Sequence, residues 1–90
     1  MRAVRIVVTG RVQGVGFRAF AQRRAGELGL GGWVRNRPDG GVEAEAVGRD
    51  TDLSRFVAAL RVGPRLAWVE DAAEEWFESA EAPDGFRVTG

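Results

Sequence analysis

Two hydrophobic periods alternate along this chain, and their order restricts the fold more than any other feature. From Arg2 to Gly10 the period is two: Val4, Ile6 and Val8 fall on one face, Arg5, Val7 and Thr9 on the other, as in a strand covered on one side. Phe17, Phe20, Ala21, Arg24 and Leu28 then recur at helical spacing, predicting a helix with one apolar stripe that stops at Gly29. Gly32 to Arg37 and Val42 to Val47 flank Pro38, Asp39, Gly40 and Gly41, residue types that suit a tight reversal between antiparallel strands. In the second of these strands Val42, Ala44 and Ala46 face away from Glu43 and Glu45, and Gly48 ends it. Leu53, Phe56, Val57 and Leu60 predict a second helix, capped by Asp50 or Thr51 and terminated by Gly63 and Pro64. Ala67 to Trp76 reads as a strand able to take a bulge, with Trp68 and Val69 on opposite sides. Phe86 to Thr89 forms a short last strand after the turn at Pro83, Asp84 and Gly85.

Two helices can cover only one face of such a sheet. The predicted fold is therefore α+β: a ferredoxin-like split βαβ (βαββαβ) sandwich, with an antiparallel sheet, both helices on one face and a short extra C-terminal strand. Ninety residues allow one core, so residues 1–90 are expected to form a single domain. This arrangement hosts enzymes, metal carriers, regulatory ligand domains and RNA binders, so function has to be argued from individual residues.

What the chain lacks removes much chemistry. It has no Cys, His or Lys, which excludes disulfides, thiolate zinc sites, cysteinyl nucleophiles and imidazole bases. The absence of Cys, of a secretory signal pattern and of any uncharged run near ~20 residues predicts a cytoplasmic protein with no membrane partner. Formal net charge is zero, yet Met1 to Arg37 holds eight Arg against Glu27, and the remainder five Arg against twelve acids. A basic segment on a neutral domain points to a small, locally held anion more than to a nucleic acid backbone.

The stretch Gly10, Arg11, Val12, Gln13, Gly14, Val15, Gly16, Phe17, Arg18 lies between the first strand and the first helical turn. Glycines there let the backbone approach a ligand, and loop amides with a helix N-terminus can converge on one anion. Arg18 falls in that first turn, where a planar guanidinium can pair two phosphoryl oxygens. A tight turn with a surface arginine explains the same residues. The spacing fits neither the dinucleotide fingerprint nor the lysine-containing phosphate loop. Asn36, the sole asparagine, ends the second strand; it suits a strand end, and its amide can also hold and orient a water. Asp50 with Asp52, and Glu74 with Glu75, are carboxylate pairs, but helix starts and solvated faces account for them and no metal is expected. Trp33, Trp68, Trp76 and the five Phe are read as core, since the neutral balance and lack of exposed aromatic-basic interleaving disfavour base stacking.

Taken together, Val8, Gly10, Val12, Gln13, Gly14, Val15, Phe17 and Arg18 resemble the first motif of the acylphosphatase family. Gly32, Trp33, Val34, Arg35, Asn36, Gly40, Val42 and Gly48 resemble its second, and Gly63, Pro64, Arg65, Ala67 and Val69 extend the likeness. The resemblance implies hydrolysis of an acyl phosphate to a carboxylate and inorganic phosphate, without metal, cofactor or phosphoenzyme. Carried over by position, Arg18 and the loop Arg11, Val12, Gln13, Gly14, Val15, Gly16 and Phe17 bind the phosphoryl group, and Asn36 positions the attacking water. The implied partners are a small acyl phosphate and phosphate ion; the neutral charge balance predicts no nucleic acid partner, and a monomer is the default expectation for ninety residues. Alternative readings are the acylphosphatase-like domain of a hydrogenase-maturation carbamoyltransferase, acting on carbamoyl phosphate, and a non-catalytic RNA-binding module. Family members often finish in an aromatic or basic residue near the site, whereas this chain has Val88, Thr89, Gly90, so no terminal contact with Arg18 is carried over.

Overall fold

A computed structural model describes residues 1–90. Seven elements follow one another: β1 (Arg2–Arg11), α1 (Phe17–Glu27), β2 (Gly31–Asn36), β3 (Val42–Gly48), α2 (Asp50–Val62), β4 (Trp68–Glu78) and β5 (Phe86–Val88). The strands form one sheet in the order β4-β1-β3-β2-β5. β1 is antiparallel to β3 and β4, and β2 is antiparallel to β3, as the split βαβ pattern predicts. The sheet is mixed rather than wholly antiparallel, because β5 pairs with β2 in parallel. The segment after β4 crosses to the far edge of the sheet before it pairs.

Period two in β1 buries Val4, Ile6 and Val8 on the helix-covered face, where Ala44, Ala46, Val34, Phe17, Phe56, Leu53 and Leu60 join them in one cluster. Helix α1 presents Phe17, Ala21 and Ala25 to this core, while Phe20 and Leu28 pack at its margin and Arg24 turns to Glu27. The expected stop is present: Gly29 has a left-handed φ of 68°, and Leu30 N–H donates to Ala25 O, closing the last turn. The cap expected at Asp50 or Thr51 is not formed. Arg49 holds the cap position in extended conformation, its carbonyl accepting the Leu53 N–H, and the Asp50 carboxylate lies 3.5 Å from Arg2 instead. Asp50 and Asp52 still favour the helix from its first turn.

A bulge does occur in the β1–β4 pairing. Thr9 opposes Asp71 but Gly10 opposes Val69, leaving Glu70 as the extra residue. Any Cβ on Gly10 would collide with the Trp68 carbonyl oxygen and the Glu70 amide nitrogen, so the two strands close up here only because residue 10 is glycine.

The reading of all aromatics as core is corrected. Trp68 is 70% exposed, standing opposite Arg11 beyond the bulge. Trp33 is half-buried and lines a depression with Arg5, Arg35, Glu43 and Thr89. Aromatic and basic residues thus do share this face, and two of its arginines are engaged while Arg11 and Arg87 pair with no carboxylate. Arg35 donates to Glu43 at 2.7 Å and Arg5 to Glu45 at 2.9 Å. Those pairs neutralise the Arg5 and Arg35 charges on this face.

Candidate active site

Strand β1 delivers the chain to the loop 12–16, and the loop is pinned at both ends by burial. Val12 and Phe17 are core residues, so what lies between them must arch outward. Gly14 and Gly16 make the arch with φ values of 74° and 80°, backbone conformations that cost a residue with a side chain roughly 1–2 kcal/mol. No atom lies within 4 Å of a Cβ built on either glycine, so the backbone here faces open space. Gly16 is also the N-cap of α1; the helix has no side-chain cap and no acid in its first turn.

The consequence is a run of free donors. None of the backbone N–H groups from Gln13 through Ala19 donates to a protein acceptor. Together with the positive end of the α1 dipole, they form a surface that favours an anion.

Asn36 reaches the same place from the sheet. Alternation along β2 turns Val34 into the core and Arg35 to the opposite face, which returns Asn36 to the helix side at the last rung of the ladder, opposite Val42. Its side-chain amide makes no hydrogen bond within the protein, while its backbone N–H donates to Gly90 O at 3.0 Å. The same Gly90 oxygen accepts from Arg18 Nη1 at 2.5 Å. A terminal contact with Arg18 therefore exists, one that the tail sequence left open. It uses a main-chain oxygen, which needs no aromatic or basic side chain. Arg18 pairs with no Asp or Glu side chain, and its guanidinium donors other than the one on Gly90 O are free for a ligand.

A cavity of about 310 Å³ collects these groups. Arg18 and Asn36 both line it, with Val12, Gly14, Gly16 and Phe17 of the loop, and with Ala19, Gln22 and Val88. Three of the expected loop residues are not among its lining residues. Arg11 closes β1 and borders a separate depression with Leu66, Ala67, Trp68 and Glu70. Gln13 sends its side chain to the β2–β3 turn, donating to Arg37 O and Gly41 O, and Val15 packs against the core margin. Ala19, Gln22 and Val88 were not foreseen. Gln22 lies one helical turn beyond Arg18 and was legible in principle; β5 brings Val88 in through tertiary pairing that no local pattern shows.

The turn next to Asn36 is held firmly. Asp39 Oδ1 accepts the Gly41 N–H, and the carboxylate also pairs with Arg37; the first bond and then the second hold the Asp39 carboxyl below its ordinary range. No group of three or more acidic residues is arranged to hold a metal ion. No helix is long and apolar enough to cross a membrane.

The family model described as Acylphosphatase matches residues 4–88. An acylphosphatase of Salinibacter ruber is 51% identical over 90% of this chain and 85% of its own length. Among solved structures, the acylphosphatase of Bacillus subtilis superposes with a TM-score of 0.96 at 42% identity, covering all of both chains. HypF of T. kodakarensis matches at a TM-score of 0.85 and 34% identity, covering 99% of this chain and 12% of that protein. A family match over nearly the whole length, with relatives near half identity, establishes that the chain belongs to the acylphosphatase family, the hydrolases of acyl phosphates.

Proposed function

We propose that the cavity between the 12–16 loop and the end of β2 binds the phosphoryl end of the acyl phosphate, and that Asn36 aims the attacking water at it. Supporting this most directly is one juxtaposition: Arg18, Asn36 and a loop of unpaired amides border a single concavity. Arg18 supplies charge and a forked donor, and the unpaired amides of the cavity-lining loop residues Gly14, Gly16 and Phe17 supply short-range donors to the equatorial oxygens.

These groups suffice because of what acyl phosphates are. Phosphoryl transfer passes through a loose transition state with charge spread over the equatorial oxygens, so positioning and electrostatic stabilisation do most of the work. The leaving group is a carboxylate whose conjugate acid has a pKa of roughly 4, so it departs as an anion without a proton. A phosphate monoester expels an alkoxide and calls for a general acid. Water is a weak nucleophile, but a loose transition state asks little push of it, and the substrate's own phosphoryl oxygens can take its proton. Orientation by an amide that donates and accepts without titrating is then enough.

Asn36→Ala is expected to lower turnover by on the order of 10² or more with modest loss of phosphate affinity, since it removes an interaction used mainly in the transition state. Phosphate release from benzoyl phosphate in chelator, beside a phosphate monoester control, measures both the activity and its selectivity. Undiminished turnover in Asn36→Ala would remove Asn36 from the mechanism. Residues 1–90 are taken to act as one cytoplasmic, monomeric domain, a reading supported by the single core cluster and the absence of Cys; sedimentation of the purified chain tests the monomer.

A further inference from the structure

The two halves of the site come from segments far apart in sequence, and their spacing has to be set by something. Residues 12–18 hold the phosphorus and residue 36 holds the water, so in-line attack depends on the distance between loop and turn. Gln13 spans that distance. Its Nε2 donates to Arg37 O at 2.8 Å and to Gly41 O at 2.9 Å. Two carbonyl acceptors permit only one orientation of the side-chain amide, and both of its hydrogens are used.

The two carbonyls are the ones that matter for Asn36. Arg37 directly follows it, and Arg37 N–H donates to Gly41 O at 2.8 Å, so Gln13 grips both sides of the hydrogen bond that closes the turn. On the far face of the sheet, Glu43, only 7% exposed, holds Arg35 and Arg37 on either side of Asn36. Those ion pairs stiffen the turn, but they do not refer it to the loop. Gln13 does, because its backbone N–H opens the run of unpaired donors while its side chain is fixed to the turn.

We infer that Gln13 is a positioning residue for the hydrolysis: it sets the separation between the phosphoryl-binding loop and the water held by Asn36, an inference that rests on the roles given to Arg18 and Asn36 above. A misplacement of about 1 Å between reacting groups costs on the order of 10² in rate. The loop amides and Arg18 travel together on one side of the clip, so releasing it separates water from phosphorus without dispersing the phosphate ligands.

The test is a double-mutant cycle in benzoyl phosphate hydrolysis with Gln13→Met, which keeps side-chain length but has no donor. Gln13→Met is expected to lower kcat by roughly 10- to 100-fold while competitive inhibition by inorganic phosphate stays within about 3-fold of wild type. In the Asn36→Ala background the same change should slow turnover by less than about 3-fold more, because no oriented water remains to be misplaced. Wild-type kcat in Gln13→Met, a full multiplicative loss on top of Asn36→Ala, or a loss of phosphate inhibition as large as the loss of kcat would each overturn the inference. A merely stabilising glutamine would give the multiplicative result. Should Gln13→Met fail to fold by circular dichroism, Gln13→Asn, one methylene too short to reach, carries the same expectations. Unchanged turnover in Asn36→Ala alone would instead strike the underlying reading of Asn36.

Discussion

Replacing Arg18 by Lys separates charge from geometry at the proposed phosphoryl site. The substitution keeps one positive charge but exchanges a planar fork of five donors for a compact ammonium. In the structure one guanidinium nitrogen is committed to Gly90 O, so the remaining donors are what a phosphoryl group would meet. An ammonium can serve one of the two demands well but not both in the same plane. The loss is then about one charge-assisted hydrogen bond, worth roughly 1.5–3 kcal/mol, or about 12- to 150-fold in affinity. Arg18→Lys is expected to raise the inhibition constant of inorganic phosphate against benzoyl phosphate by that factor and to reduce kcat/KM by at least as much. Arg18→Ala, which forfeits charge as well, should exceed both. Inhibition by phosphate at the wild-type constant in Arg18→Lys would show that charge alone binds the anion and would refute the forked contact; wild-type inhibition in Arg18→Ala would remove Arg18 from the phosphoryl site altogether.

Further expectations concern the frame that carries the site. At about 2.1 cal/mol/K per residue, ninety residues make each kcal/mol worth about 5 °C in Tm. Phe56→Ala deletes a fully buried ring that also meets Phe86 of β5 edge-on at 5.6 Å; a cost of about 3–5 kcal/mol lowers Tm by about 15–25 °C in calorimetry. Gly10→Ala forces a methyl onto the backbone of β4 at a φ of 123°, so roughly 3 kcal/mol or more is lost, and a Tm within a few degrees of wild type would contradict the bulge geometry. The Glu74 carboxyl is held below its ordinary range first by the Trp76 indole N–H and then by Arg61. A carboxylate with a depressed folded pKa stabilises at neutral pH and loses that contribution as pH falls through the acidic carboxylate range. Glu74→Gln should therefore lower Tm at pH 7 and converge with wild type in acid, as thermal melts across pH would record.

Much of this organisation could be read from the residues because it is local. Val4, Ile6 and Val8 alternate with polar neighbours over a whole strand, and Leu53, Phe56, Val57 and Leu60 repeat without interruption, so element type and buried face follow from period alone. The helix cap was misplaced by one residue because Asp50 has a second use, pairing with Arg2 across the fold, which no window around residue 50 contains. Trp68 lies off the core because a bulge at Glu70 changes which side of β4 faces the helices, and a bulge shows only in pairing. For the site, glycine spacing and the first-turn arginine were local signals. Val88 in the cavity, the oxygen of Gly90 on Arg18 and the clip from Gln13 to carbonyls 24 and 28 residues away are contacts between separate elements, without any periodic trace.

The charge asymmetry of the sequence has a different meaning once folded. Of the eight arginines before residue 38, Arg2, Arg5, Arg24, Arg35 and Arg37 are each within 4.0 Å of a carboxylate. Arg5 of β1 stands opposite Glu45 of β3 and Arg35 of β2 opposite Glu43, so on the face away from the helices part of the basic first half cancels rung by rung against acids of the second. Arg18, like Arg11 and Arg23, pairs with no Asp or Glu side chain; it lies in the first turn of α1, beside the loop rather than on the sheet, and donates to Gly90 O. A fold that neutralises its other site-proximal arginine, Arg37, with Asp39 and Glu43 leaves selectivity for an anion to contacts within hydrogen-bonding reach. In the reading proposed above, such a site grips the phosphoryl end that all acyl phosphates share. On that reading the acyl end is left to the cavity's accessible apolar lining, Ala19 and Val88, where one methylene more or less is worth only about 1–3 kcal/mol.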